Sequence, residues 1–295
     1  MADYNQDSIT KDVLTAFAGT PDPRLRELMT ALVKHVHAFA REVDLTSEEW
    51  LAGLKFLDAI GKISTEHRPE FILLSDTLGL SMMVVALQQA RASGGAKGAT
   101  PATEATVEGP FYWLGAPDVA LGTDIGEGVL GEPTFYKGRV TDTNGQPLAG
   151  ALLDVWSGDG EGKYDVQLSP EPVMKARGRL RTDTEGRYWF WSILPAFYPI
   201  PDDGPVGTMM RATHRSIYRP GHIHMQVSAP GHVMLTTQVF VAGSPHIDED
   251  AVFGKRDSLV VEFDHHPPGK APDGRAMSRP YHSASYDFRL APAAA

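Results

Sequence analysis

The sequence changes its periodicity once, near residue 106, and that change limits the folds open to it. Before it, apolar residues recur at helical spacing. In "PDPRLRELMTALVKHVHAFARE", Leu25, Leu28, Met29, Leu32, Val33 and Val36 mark one helix face. Thr46 and Glu49 form a capping box ahead of a second helix striped by Trp50, Leu54 and Leu57. A third helix is predicted from Pro69 through "EFILLSDTLGLSMMVVALQQARA", apolar around most of its circumference and so expected to be buried between partners. "SGGAKGATPATEAT", residues 93–106, reads as a linker.

After residue 130 the pattern is that of strands. Asn144-Gly145 and Glu185-Gly186 signal tight turns, and "GHIHMQVSAPGHVMLTTQVFVAG" reads as a hairpin turning at Ala229-Pro230-Gly231. Short strands between Pro/Gly loops, with no helical period among them, predict an antiparallel β-sandwich. The fold class expected is therefore mixed but mainly β, with an N-terminal α-helical region over 1–105 and the sandwich over 106–295. From His265 on, the polar, Pro/Gly-rich sequence reads as a wrapping tail ending in a disordered "APAAA".

Composition removes several kinds of chemistry. The 295 residues contain no cysteine, which excludes disulfides, zinc–thiolate sites, iron–sulfur clusters and thiol nucleophiles. A net charge of −10 argues against nonspecific nucleic-acid binding, and it requires local positive charge, a metal or an arginine, wherever an anionic substrate binds. The N-terminal stretch lacks the basic and apolar segments of a signal peptide, and no apolar run has the length of a bilayer. The expected location is the cytoplasm, without membrane insertion.

The segment with the most chemistry is "YRPGHIHMQV", Tyr218 to Val227. On a strand, His222 and His224 share a face and lie roughly 6.6 Å apart along the backbone, so two imidazoles can converge on one ion. Two partly buried histidines with ordinary hydrogen bonds would show the same pattern. A cupin would need a glutamate shortly after, where this chain has Gln226. Without cysteine, a metal here needs carboxylates, further histidines or tyrosines. Tyr164, in "GDGEGKYDV", and Tyr198, in "LPAFYPIPDDGP", stand in polar or Pro-rich loops that follow sandwich strands. If Ala229 to Gly231 form a three-residue turn, Ser228 faces His232 and Gln238 faces His222; a bulge would shift this register.

Together, G-x-Y-D, L-P-x-x-Y-P, R-P-x-H-x-H and "LTTQ", in that order and with "EGPFY" upstream, resemble the intradiol ring-cleavage dioxygenases over most of the chain. The resemblance implies one non-haem Fe(III) per subunit, held by Tyr164, Tyr198, His222 and His224. Phenolates suit a hard ferric ion and set such a site apart from the two-histidine, one-carboxylate Fe(II) oxygenases. It implies that Tyr198 leaves the metal and takes a substrate proton, that Arg219 stabilises negative charge building on the ring, and that Gln238 holds the substrate or an oxygen intermediate.

"YPIPDDGPVG" and "DAVFGKRDSL" resemble the hydroxyquinol-cleaving branch, which gives 3-hydroxy-cis,cis-muconate or maleylacetate. That branch implies a pocket of Leu73, Asp76, Val107, Gly109, Pro110, Phe111, Ile200, Pro201 and Val252, in which Asp76 accepts a hydrogen bond from the extra hydroxyl or is simply a helix-surface acid. Glu108, Phe197 and Gly221 depart from the branch pattern, which keeps catechol and chloro- or alkyl-substituted diols open. The family also implies a homodimer through the N-terminal helices, with a phospholipid bound at that interface. An alternative of another class is a non-catalytic, transthyretin-like binding module whose histidines serve only structure.

Overall fold

The computed structural model describes residues 5–65, 68–92, 101–168 and 173–293. By its internal contacts the chain forms two compact units, Met1–Ala59 and Ile60–Ala295. The structural division therefore falls earlier than the change of sequence pattern at 106.

In the first unit, α1 (Ile9–Phe17) precedes α2 (Pro23–Glu42) and most of α3 (Ser47–Ile63). Asp22 caps α2 by accepting from the N–H groups of Arg24 and Leu25, with Pro23 at the first helical position. The capping box of α3 forms as expected: Thr46 N donates to Glu49 Oε2 at 3.0 Å and Glu49 N to Thr46 Oγ1 at 3.2 Å. The apolar stripes remain at the surface: Leu25, Leu28, Leu32, Val36 and Phe39 of α2, and Trp50, Leu54 and Leu57 of α3, are all exposed.

The second unit opens with α4 (Glu70–Thr77) and α5 (Leu80–Ala92). A single helix was expected here. The chain instead bends by 72° between the two, because Gly79 takes a φ of +74° that ends the helical run. Leu73, Asp76 and Thr77 of α4 are buried, whereas Phe71, Ile72, Leu80, Met83 and Leu87 stay exposed, so the pair is not enclosed on all sides as expected. Residues 93–100 of the expected linker lie outside the described residues. The remainder is anchored: Thr103 N donates to Arg289 O, Thr106 N to Thr236 O, and Thr103 and Thr106 are buried.

The strands follow as β1 (Pro133–Asp142), β2 (Leu152–Trp156), β3 (Arg177–Arg181), β4 (Arg187–Ile193), β5 (Tyr198–Pro199), β6 (Tyr218–Arg219), β7 (His222–Ser228), β8 (Leu235–Val241), β9 (Val260–Val261), β10 (Asp264–His266), β11 (Gly269–Lys270), β12 (Ala276–Met277), β13 (Tyr281–Ser285) and β14 (Phe288–Leu290). Short helices α6 (Asp165–Leu168) and α7 (Pro205–Ala212) lie among them. Of the two larger sheets, one runs β10-β13-β1-β14, with β4 also on β1, and the other β3-β2-β7-β8-β9; β5-β6 and β11-β12 form two-stranded pairs.

The sandwich is mainly antiparallel, but β1 pairs parallel with β13 and β14, as β8 does with β9. The tail from His265 on thus supplies β13, β14 and most of β10 to a sheet rather than only wrapping it. The expected disorder of its end is corrected in part: Ala293 N donates to Gly231 O and Pro292 bridges His232, while 294–295 lie outside the described residues. Alternation on β4 sends Tyr188 and Phe190 into the core between the sheets, with Leu153, Val155, Ile223 and Met225. Trp191 packs on the opposite face with Phe135 and Tyr281.

Candidate active site

The site is built on β7. Ile223, Met225 and Val227 enter the core, which turns His222 and His224 to the opposite face. Both imidazoles are buried, and their Nε2 atoms converge to 3.1 Å. His222 Nδ1 donates to Pro220 O at 2.7 Å, which leaves the Nε2 lone pair pointing inward. Burial, then the Arg219 charge, lowers the His222 pKa to about 3. Burial, followed by the charges of His222 and Arg219, also puts His224 well below the usual range. Both rings are therefore neutral, as metal ligation requires. On β2, Trp156 sits directly opposite His224 and stacks on it, with centroids 4.7 Å apart and planes at 13°.

Tyr164 follows the loop after β2, and its hydroxyl lies 2.9 Å from His224 Nε2. The next residue, Asp165, accepts from Arg177 Nε at 2.7 Å and Nη2 at 2.6 Å, a buried pair that ties the loop to β3. Tyr198 lies on β5, opposite Arg219 on β6, and meets the Tyr164 ring edge-on at 5.6 Å. The two tyrosine loops can close only because residue 162 is glycine: φ is +79°, and a Cβ there would lie 2.4 Å from Tyr198 Cβ. Burial first, and then Tyr198, raises the Tyr164 phenol well above its ordinary value. A bound cation would reverse that balance.

Arg219 is buried, and Asp250 and Gln238 engage its Nε and Nη2 donors. Nε donates to Asp250 Oδ1 at 2.9 Å, while Nη2 donates to Gln238 Oε1 at 2.7 Å and Asp250 Oδ2 at 3.2 Å. Nη1 lies 3.1 Å from His222 Nε2. Gln238 is fully buried; its Nε2 donates to Val107 O at 2.8 Å and lies 3.3 Å from His224 Nδ1. Gln238 faces His224, not His222. The expected register is off by two because His232 bridges Pro292 instead of facing Ser228, which lengthens the hairpin loop. A shift of two preserves the face, so Gln238 still reaches the site.

The pocket residues expected from the sequence take several positions. Phe111 stacks on Tyr164 at 4.5 Å, and Gly109 lies against the His224 ring. Leu73, Val107, Ile200 and Val252 are buried; Pro110 and Pro201 are half-buried beside Phe111 and Ile200. Asp76 is not a surface acid: it is 2% exposed, and burial raises its carboxyl against the opposing pull of Ser81 and Arg219.

Among the described residues no three His, Asp or Glu side chains gather into a metal-binding group. A centre at His222 and His224 must therefore draw on another donor type, and the buried tyrosines beside them fit a hard, highly charged ion. The donor set thus suits the non-haem iron that the sequence resemblance implies. Asp250, Trp156 and the Asp165–Arg177 pair were not legible as site residues; their partners are distant in sequence and leave no local spacing.

Gly221 also gains a reason here, since a Cβ there would lie 2.4 Å from Pro195 O, in the backbone leading to Tyr198. Gly221→Ala is expected to cost about 1–3 kcal/mol in denaturant unfolding and to displace the Tyr198 loop in a crystal structure. Unchanged stability would mean that the loop has slack.

A sequence family described as "Dioxygenase" matches residues 107–292, and one described as "Catechol dioxygenase N terminus" matches residues 22–96. The chain is 46% identical over 289 residues to a hydroxyquinol 1,2-dioxygenase of Nocardioides simplex, covering 98% of this chain and 96% of the relative. It is 46% identical over 263 residues to a 6-chlorohydroxyquinol 1,2-dioxygenase of Cupriavidus pinatubonensis, covering 89% and 93%. The solved structure of a hydroxyquinol 1,2-dioxygenase from Pseudomonas putida DLL-E4 superposes with a TM-score of 0.87 at 40% identity, over 98% of this chain and 99% of that one.

Proposed function

The chain belongs to the intradiol ring-cleavage dioxygenases, a family that uses non-haem iron, and from that membership we propose that it opens the ring of hydroxyquinol with O2. Both oxygen atoms enter the product as the bond between the adjacent hydroxylated carbons breaks, giving 3-hydroxy-cis,cis-muconate or its keto form, maleylacetate. The observation that carries the reading is the buried cluster of Tyr164, Tyr198, His222 and His224 with Arg219 and Gln238 against it. One Fe(III) per subunit would be held by the two tyrosines and two histidines. When bound, it supplies a Lewis acid that holds the diol as its dianion and activates it toward O2.

The protein's own groups do the rest. Tyr198, as the phenolate that a bound metal would stabilise, takes one of the diol's two protons and becomes a phenol; the second passes to solvent as the diol enters. Arg219 presents Nη1 to negative charge developing on the ring, in a site where water does not screen it. Gln238, held by Val107 O and Arg219, offers its amide to the substrate or to oxygen. Phe111, Ile200 and Val252 keep the ring dry. Asp76 accepts from the third hydroxyl; its burial on α4 and the near full-length likeness to hydroxyquinol enzymes support this over catechol.

The reading also includes a homodimer through the N-terminal helices and action in the cytoplasm. The exposed stripe of α2 supports the dimer, and the same apolar surface would take the acyl chains of a phospholipid.

Oxygen uptake by the iron-loaded protein tests the reaction. Hydroxyquinol should be consumed with one O2 each, and the protein should be burgundy from tyrosinate-to-iron charge transfer. A clear preference for catechol overturns the substrate. A colourless protein that stays inactive after iron loading leaves the binding-module alternative.

A further inference from the structure

We infer that Asp250 is a positioning residue: it decides which guanidinium nitrogen of Arg219 faces the reacting diol. The inference rests on the ring-cleaving reading above. A guanidinium carries five N–H groups in a fixed fork. Three are committed, Nε to Asp250 Oδ1 and the two on Nη2 to Asp250 Oδ2 and Gln238 Oε1. Among the described residues Nη1 has only His222 Nε2 beside it, a lone pair that a bound metal would claim in its place. Its two N–H groups are thus left for the substrate.

Asp250 can impose this orientation because it is itself held. Its carboxylate also accepts from Val252 N at 3.3 Å and Lys255 N at 2.9 Å. Four N–H groups converge on one buried carboxylate, so both the fork and the turn bearing Val252 refer to the same anchor. Gly254 closes it: a Cβ there would lie 2.9 Å from Arg219 Nη2 and 3.2 Å from Asp250 Oδ2. Asp250 touches neither the donor cluster nor, in this reading, the substrate; it acts through Arg219.

The test uses two iron-loaded variants. Asp250→Asn keeps the shape and removes the charge, while Asp250→Glu keeps the charge and moves it. Each should retain the visible absorption band and iron content of the parent. Each should lose roughly 10²-fold in kcat on hydroxyquinol, the scale of an ångström-sized misplacement, with KM moved by less than about threefold. In an Arg219→Leu background, Asp250→Asn should cost less than about threefold more, since the group it acts through is gone.

Parental kcat in either variant overturns the inference. So does an equal loss in both backgrounds, or loss of iron and colour together with activity, which would make Asp250 a support of the centre itself. If the Asn variant does not fold, the Glu variant carries the same outcomes. Failure of the parent protein to consume O2 with hydroxyquinol sinks the ring-cleaving reading instead and is seen before any variant is made.

Discussion

Tyr198→Phe is expected to lower turnover of hydroxyquinol by roughly 10³-fold, within the range for loss of a positioned acid–base group. Its visible band should weaken or shift, while its fold stays intact. The placement of Tyr198 does not depend on its hydroxyl. Backbone pairing with Arg219 on β6 and close contact with Gly162 fix the loop, and the ring rests edge-on against Tyr164. A phenylalanine therefore occupies the same volume and removes only the oxygen. Proton transfer at that corner then has to pass to water, which the site excludes: Tyr198 is 5% exposed and Tyr164 0%. Oxygen-electrode rates and absorption spectra of the iron-loaded variant check this. Turnover within tenfold of the parent, with an unshifted band, would remove Tyr198 from both of its proposed roles.

The sequence shows the half of the site that depends on strand periodicity. His222 and His224 share a face because i and i+2 must, and the core on the other side follows from the same alternation. Gln238 was assigned to the right face but opposite the wrong histidine, since its register depends on how many residues the hairpin loop holds. That number is set by a pairing to Pro292, far along the chain. The same holds for β13 and β14, whose parallel pairing to β1 joins segments about 150 residues apart, where a polar, Gly-rich sequence looks like a tail. Tyr164 and Tyr198 stand out by their polar and Pro-rich settings, but only the resemblance makes them ligands, because a tyrosine in a loop has no spacing that says ligand. Asp250 is 31 residues from Arg219, and a buried ion pair between β6 and a later loop has no signature before folding. The bend between α4 and α5 is not legible in the sequence, because the apolar run across Gly79 argues for one continuous helix; the positive φ at Gly79 ends it.

Arg219→Leu removes a charge from the site and also leaves an unpaired one behind it, and the two losses separate with pH. On turnover, the expected fall is roughly 10³-fold, the upper part of the range for losing one preorganised donor at a developing anion. On stability, the cost at pH 7 should be about 3–5 kcal/mol, because Asp250 stays buried without its partner. In the parent, burial alone would raise the Asp250 carboxyl, but Arg219 outweighs it and holds the group below its ordinary range. The stability that Asp250 contributes is then complete above the unfolded carboxyl pKa, near ~3.9, and is lost as pH falls through the lower folded value. In the variant, burial acts without the guanidinium, so the folded carboxyl rises above the unfolded one. The sign reverses: the variant is least penalised below the unfolded value and loses stability as pH rises through the window between the two. Asp76, whose burial-raised carboxyl Arg219 partly offsets, moves in the same direction. The gap in unfolding free energy between parent and variant should therefore be widest at neutral pH and narrow toward pH 4. Denaturant titrations of both proteins at the two pH values read this directly, and a gap that does not change with pH would mean that the Asp250 charge is already compensated by other groups. Arg219→Lys separates charge from geometry. An ammonium can neutralise Asp250 but cannot also reach Gln238 and face the ring with a planar fork, so it should recover much of the stability and little of the turnover.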